Sequence, residues 1–457
     1  MIKIKSKTRV ILGAALILYS LIQSYRLLTL WYDLNASFLN TNQLQKSEPD
    51  LRAAVNSSVA NPMALIDGVM PPAASETYSQ LYSLAGEGGK SSGEFFAEDA
   101  KIEAWLANVP DLDARTRAIC DRLPQLLASF PVAAPEPSEK NCYIGALSYV
   151  PIRTSARFCA LLAWQAARQG NSQQALLAAC APAAVGAILE IHETRTGALS
   201  ILGHAIGENI GQLTGSLLRE LAPAIESSKA DAIQVLQWSE TLEKSFPSPE
   251  RVLANELNFW PAFARNWQRA IDSGEAMKTF GRNPQALVAL FSDQAVVDSY
   301  LVPIMSGFRQ VCAEPYPQAI KRLAQVHELA RPLKQFNASI GLHYTRFFFM
   351  PDTSFMQLLL GTMMPNLDTL YITSVKTRAM LRGGALAVAL HAYHKENGSW
   401  PADLGEVASW LGVASLPQDP FTAAAWSYNV SAPSLLSPGP DLQTGTPDDL
   451  NFLKVSH

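Results

Sequence analysis

The chain lacks the short signatures that announce the commonest enzyme classes. It has no Cys-x-x-Cys pair and no Gly-x-Gly-x-x-Gly turn, so a dithiol redox pair and a dinucleotide-binding turn find no support; Gly89-Lys-Ser-Ser-Gly93 spells Gly-x-Ser-x-Gly, but no strand pattern precedes it as a hydrolase nucleophile elbow requires. Gly86-Glu-Gly-Gly-Lys90-Ser91 has the end of a phosphate loop, but Leu84 stands where the first glycine is required. His192-Glu193 opens like a zinc-protease helix, and Thr196 occupies the place of the second histidine. No excess of positive charge exists either: 36 Lys and Arg against 40 Asp and Glu give a net charge of -4. A pI near 6.0 supplies no basic field for a phosphate backbone, which excludes nucleic acid as the main partner.

Cysteine is scarce, with five residues in 457, a number that fits an oxidising compartment without requiring one. Cys159 and Cys180 flank a turn at Gly170-Asn171 at nearly equal distances, so an antiparallel helix pair brings them level and makes them a candidate disulfide. Cys120 and Cys142 are a second candidate pair, which leaves Cys312 single. Five buried small hydrophobes are the alternative.

What is abundant is apolar. Hydrophobic residues make up 48% of the chain and mean hydropathy is +0.05, so some apolar surface is expected to meet lipid or a partner. The basic cluster Lys3, Lys5, Lys7 and Arg9 precedes an apolar run over residues 10–22 that resumes as far as Trp31 and Tyr32. A bilayer-spanning helix needs about 20 residues, which the window 10–32 supplies if Arg26 snorkels to the far interface. The positive flank predicts a cytoplasmic N-terminus and a periplasmic remainder, hence a single-pass inner-membrane protein. A cleaved signal peptide is the alternative, though no small-x-small site follows promptly, Leu34-Asn35-Ala36 being distant.

Length and composition predict four units: a basic flank and anchor over residues 1–34, a Ser-, Asn-, Pro- and Gly-rich stalk over 35–96, an α-helical domain over 97–375 and a small α+β module over 376–457. The fold class is therefore mainly α. In the middle, the phrase from Leu162 through Gly170-Asn171-Ser172 to Pro182 resembles a tetratricopeptide helical hairpin, with Ala163 and Ala175 at close-approach positions and Asn171 or Ser172 capping the second helix. Residues 316–332 resemble the second helix of such a repeat, but no period of about 34 residues connects the two. Further helices are expected over 181–221, 230–244, 250–271 and 285–311. The greasy segment 347–364 is broken by Pro351 and Asp352, which points to a buried junction or a lipid-grazing face rather than a second span.

The end of the chain is the most patterned part. An Ala- and Leu-rich helix over 380–393 is stopped by Asn397-Gly398 and Pro401, and a short helix runs on to about Trp410. Leu416-Pro-Gln-Asp-Pro420 then turns the chain into a hairpin over 425–430 and 434–437, above Trp400, Phe421, Trp426 and Tyr428. With its acidic Gly-rich loop, this order resembles the major pseudopilins of type II secretion systems. The resemblance implies a calcium site with Asp441 and Asp448 as ligands and Asp449 and Thr446 as further candidates; the alternative is a solvated acidic turn. It also departs from a filament subunit, because Gly13 is followed by Ala14 and the first glutamate is Glu48. The functional expectation is a non-enzymatic, membrane-anchored interaction or accessory assembly factor, with envelope proteins, secretion or pilus components among them, as partners. The alternative is an envelope enzyme whose site lies near His192, Glu193, Thr196, His204 and Glu208, which recur at helical spacing. His391, His394 and Glu396 also share a helix face, where helix-end polar roles explain them better than a metal.

Overall fold

The computed structural model describes residues 149–196, 201–254, 302–338 and 366–453. The anchor, the stalk, Cys120, Cys142 and the segment 347–364 lie outside the described residues. Within them the chain is mainly α. Eight helices are α1 (Tyr149–Arg168), α2 (Ser172–Thr196), α3 (Ile201–Leu221), α4 (Lys229–Ser245), α5 (Val302–Ala313), α6 (Tyr316–Ala338), α7 (Asn366–Asn397) and α8 (Leu404–Leu411). A small antiparallel sheet of β1 (Ser427–Asn429), β2 (Ser434–Ser437) and β3 (Leu450–Asn451) follows in the order β1-β2-β3. Leu435 pairs with Tyr428 and Ser437 with Leu450. The expected hairpin therefore has a third strand, too short at two residues to carry an alternation signal in the sequence.

Helix α1 buries Ala156, Cys159, Ala160, Ala163 and Ala166, a spacing of three and four that lays one apolar stripe against α2. The turn between them needs Gly170 at φ 72, a left-handed conformation that costs glycine little. Asn171 caps α2, its side-chain oxygen accepting the Gln174 N–H at 3.1 Å. Cys159 and Cys180 are buried thiols in this interface rather than a disulfide.

Helix α2 runs straight past Pro182, so the residues expected as one helix over 181–221 are divided between α2 and α3. Proline deprives the helix of one N–H and disturbs the bonding around it. Here the Ala183 N–H donates to Thr214 Oγ1 of α3 at 3.0 Å, so the neighbouring helix satisfies the disturbed turn. Residues 175–190 are apolar and buried on every face except for Glu190 at their end, which makes α2 a central helix. Its window Ser172–Glu190 is long and apolar enough to cross a membrane, yet 83% of it is buried inside the protein, as befits a core helix.

Helix α3 lies between α2 and α7, and glycine sets both separations. A Cβ on Gly186 of α2 would stand 2.4 Å from the Gly207 carbonyl oxygen, and a Cβ on Gly215 would stand 2.1 Å from the Met380 carbonyl oxygen of α7. Gly384 of α7 faces Gly215 in turn, its Cβ position 2.9 Å from the Gly215 Cα. Backbones meet where side chains would ordinarily hold helices 8–10 Å apart.

Helix α7 continues into the α+β module. The boundary expected at residues 375 and 376 falls inside this single 32-residue helix, which packs on α3 and α4. Gly383 makes room for the Phe452 ring. Arg382 forms a two-pronged ion pair with Glu243 of α4 at 2.6 and 2.7 Å and donates to the Gln418 carbonyl at 2.8 Å. On the other side Tyr316 of α6 is buried, stacks on Tyr371 of α7, meets Phe421 edge-on and donates its hydroxyl to the Pro440 carbonyl at 2.9 Å. Gly398 ends α7 at φ 71 with its N–H on the His394 carbonyl. His394 stacks on Trp400 and His391 meets the same ring edge-on.

The glycine crossing can be tested directly. Replacing Gly215 by Val should destabilise the protein by about 3 kcal/mol through overpacking, whereas Ala230→Val on the exposed side of α4 should change it by less than about 0.5 kcal/mol. Equal losses in chemical denaturation of the two variants would mean that the crossing has slack.

Candidate functional site

The densest chemistry among the described residues is enclosed between α2, α3 and α7. Gly203, Gly207, Gly211 and Gly215 recur every fourth residue along α3, and each is followed by a polar residue: His204, Glu208, Gln212 and Ser216. The glycines form the face that lets α2 and α7 approach. The polar row turns into the seam between them, so His204 and Glu208 are buried at 0% and 2% exposure.

Two further groups arrive from the neighbouring helices. Glu190 of α2 reaches across so that its Oε2 lies 2.5 Å from His204 Nδ1. It lies in space that Gly207 leaves open, since a Cβ there would come within 2.4 Å of the Glu190 carboxylate. Ser374 of α7 stands on the other side of the imidazole, its Oγ 2.8 Å from His204 Nε2. The same hydroxyl donates to Glu208 Oε1 at 2.8 Å. Glu208 Oε1 is also 3.5 Å from His204 Nε2. Around this string, Thr377 donates to the Glu208 carbonyl at 3.1 Å and accepts from Gln212 at 3.2 Å. Glu208 Oε2 is buried and has no hydrogen-bond partner among the described residues.

Enclosure dominates the electrostatics. Burial pushes the Glu208 carboxyl up to about 7, against the opposing pull of His204 and with further help from Glu190. Burial also lowers the pKa of His204, with Glu208 opposing it. The arrangement can therefore hold a proton on a carboxyl group beside a neutral imidazole. It can equally hold a cation, because Glu190, His204 and Glu208 each offer a ligand atom and these atoms lie within 4.8 Å of one another. The order Ser374, His204, Glu190 also matches nucleophile, base and orienting carboxylate. Ser374 is only 2% exposed, however, and its hydroxyl is engaged by Glu208, so it presents no face to a substrate.

The sequence expectations meet this geometry unevenly. His204 and Glu208 do converge, but with Glu190 and Ser374, which periodicity alone did not select. Helix α2 carries His192, Glu193 and Thr196, whose side chains lie outside the described residues. The acidic loop between β2 and β3 brings its carboxylates onto its own donors. Asp448 Oδ2 accepts the Asp441 N–H at 3.1 Å, Asp441 Oδ1 accepts that of Gln443 at 2.8 Å, and Asp449 Oδ2 accepts that of Gly445 at 2.6 Å. Thr446 Oγ1 lies 2.6 Å from Asp448 Oδ1 and 3.4 Å from Asp449 Oδ1. That hydroxyl holds the Asp448 carboxyl below its usual range.

The chain matches no known family model, no curated protein and no solved structure. Function must be argued from the residues themselves.

One consequence is a pH dependence with a definite sign. Folded Glu208 keeps its proton to a higher pH than the unfolded residue, whose ordinary value is 4.5. Its contribution to stability is thus complete below about 4.5 and lost as the pH rises through about 7. His204, held neutral by burial, works in the other direction, losing its contribution as the pH falls below 6.5. Glu208→Gln isolates the first effect. In the presence of a chelator, the variant should melt at about the wild-type temperature near pH 5 and increasingly above it towards about pH 8. A constant difference across that range would show that Glu208 does not change its proton.

Proposed function

We propose that this chain is a non-enzymatic, membrane-anchored envelope protein that serves as an interaction or accessory assembly factor beside secretion or pilus-like machinery. Its N-terminal basic and apolar segment anchors it in the inner membrane, with the bulk of the chain periplasmic. The observation that carries the reading is the sharing of α7 between the helical core and the C-terminal α+β module. Arg382 and Tyr316 fasten that module from two sides, so a partner bound by it pulls on a stiff helical body rather than on a tether. Such a design suits an adaptor that holds components in register. The enzymatic alternative draws support from the convergence of His204 with Glu208, Glu190 and Ser374, but their enclosure favours a role inside the fold.

Val413 and Val430 are large hydrophobic side chains exposed on the module, at 39% and 42%, and are the places to probe contact. Full-length protein taken from detergent-solubilised membranes should co-purify with components of a secretion or pilus apparatus. A variant with both Val413→Asp and Val430→Asp should lose them while keeping its melting temperature within about 2 °C. Retention of the same components by the variant would move the contact elsewhere, and their absence from both preparations would end the assembly-factor reading.

Calcium at Asp441 and Asp448, with Asp449 and Thr446 as further ligands, belongs to the same proposal. A Gly- and Pro-bent loop gathers hard oxygens of the kind calcium takes. Millimolar calcium should raise the melting temperature of the wild type by several degrees, an effect of about 2–3 kcal/mol at saturation, and should leave Asp448→Asn unmoved. No shift in the wild type would leave the loop as a self-bonded acidic turn.

A further inference from the structure

From the enclosed cluster we infer that Glu190, His204 and Glu208 form a structural metal centre that takes one divalent first-row transition ion, of the class Mn²⁺, Fe²⁺, Co²⁺ or Zn²⁺. The proposal is independent of the assembly role and of the acidic loop.

Three observations carry it. First, the donors come from two different helices and converge at ligand spacing, within 4.8 Å of one another, with the Ser374 hydroxyl of a third helix in contact with both His204 and Glu208. Secondly, Glu208 Oε2 is fully enclosed with no hydrogen-bond partner among the described residues. A purely hydrogen-bonded network leaves that oxygen unaccounted for, whereas a bound cation gives it a ligand's role. Thirdly, the space is built: Gly207 has no side chain at the point where the Glu190 carboxylate passes, so the backbone of α3 is shaped around an incoming acid.

Charge points the same way. Two carboxylates buried with one imidazole carry at least one uncompensated negative charge when both are ionised, and an unpaired buried charge is costly. One divalent cation with a neutral histidine balances the two carboxylates within the cluster, with Arg378 of α7 adding positive charge from outside it. His204 faces a carboxylate at each ring nitrogen. With the ion at Nδ1, the Ser374 hydroxyl at Nε2 can accept the other ring N–H and fix the tautomer, as acceptors do behind metal-bound histidines, which leaves both carboxylates as ligands. The donor set sorts the metals as well. The imidazole disfavours calcium and magnesium, the absence of a thiolate among the three disfavours Cu⁺, and mixed nitrogen and carboxylate oxygen suits the borderline divalent ions. Because the ligands are 0% to 2% exposed, the ion would tie α2 to α3, with α7 holding it through Ser374.

The test uses full-length protein in detergent, purified with a tag free of histidine, and counts metals by inductively coupled plasma mass spectrometry. The wild type should carry about one equivalent of a first-row transition metal, or take up about one equivalent of Mn²⁺, Fe²⁺, Co²⁺ or Zn²⁺ after chelator treatment, with a rise in melting temperature. Glu208→Gln and His204→Gln should fall below about a tenth of an equivalent, while Asp448→Asn, in the acidic loop, should keep the metal. If those two variants do not fold, Gly207→Ala provides the second probe. It leaves all three donors in place but crowds Glu190, and it should weaken metal uptake by at least about tenfold. Folded wild-type protein that carries none of these metals and takes up none of them overturns the proposal. So does a folded Glu208→Gln that binds as well as the wild type.

Discussion

The distance between α3 and its two neighbours is the constraint on which the rest of the structure depends. It is fixed by glycine, at Gly186 and Gly207 on one side and at Gly215 and Gly384 on the other. With backbones this close, the side chains between them have no path to solvent. A polar residue placed there must find its partner in the protein. His204 and Glu208 do so through Glu190 and Ser374, and the Ala183 N–H disturbed by Pro182 does so through Thr214. The same closeness that removes water therefore selects a connected polar network, because an unmatched group in that seam would cost about 1–3 kcal/mol.

Much of the outline was legible in the sequence because local rules agreed. The α1–α2 hairpin follows from Gly170 and Asn171, α4 from the helical spacing over 230–244, and the module from Gly398, the Asp419 turn and the β1–β2 pair. The boundaries that failed are the ones settled by a distant partner. The hairpin phrase ended at Pro182 and a separate helix was expected over 181–221, whereas α2 continues through Pro182, with Thr214, 31 residues on, taking the Ala183 N–H. Helix α7 was expected to begin near Met380, yet it begins at Asn366: its start lacks the Ala- and Leu-rich pattern and meets α3 and, through the Asp368–His327 hydrogen bond, α6.

The polar cluster was half legible. His204 and Glu208 stand four apart and could be read as one helical face, but Glu190 and Ser374 come from other helices, 14 and 170 positions away. No spacing rule links residues so separated. A signal did exist in the fourfold glycine repeat of α3 with a polar residue after each glycine. A helix face of that kind can lie against a neighbouring backbone only if its polar row is met by other polar groups, so the repeat announces a buried network without naming its other members.

The separation of 170 residues also sets an order in time. Helix α3 leaves the ribosome long before α7, and at about 5–20 residues per second the interval is on the order of ten seconds or more. During that interval α7, which packs against α3 in the finished protein, is not yet made. The last quarter of the polypeptide thus closes a core begun in the middle. Translation pauses, holdase binding or a frameshift late in the message would all be felt at a seam whose first half was made much earlier.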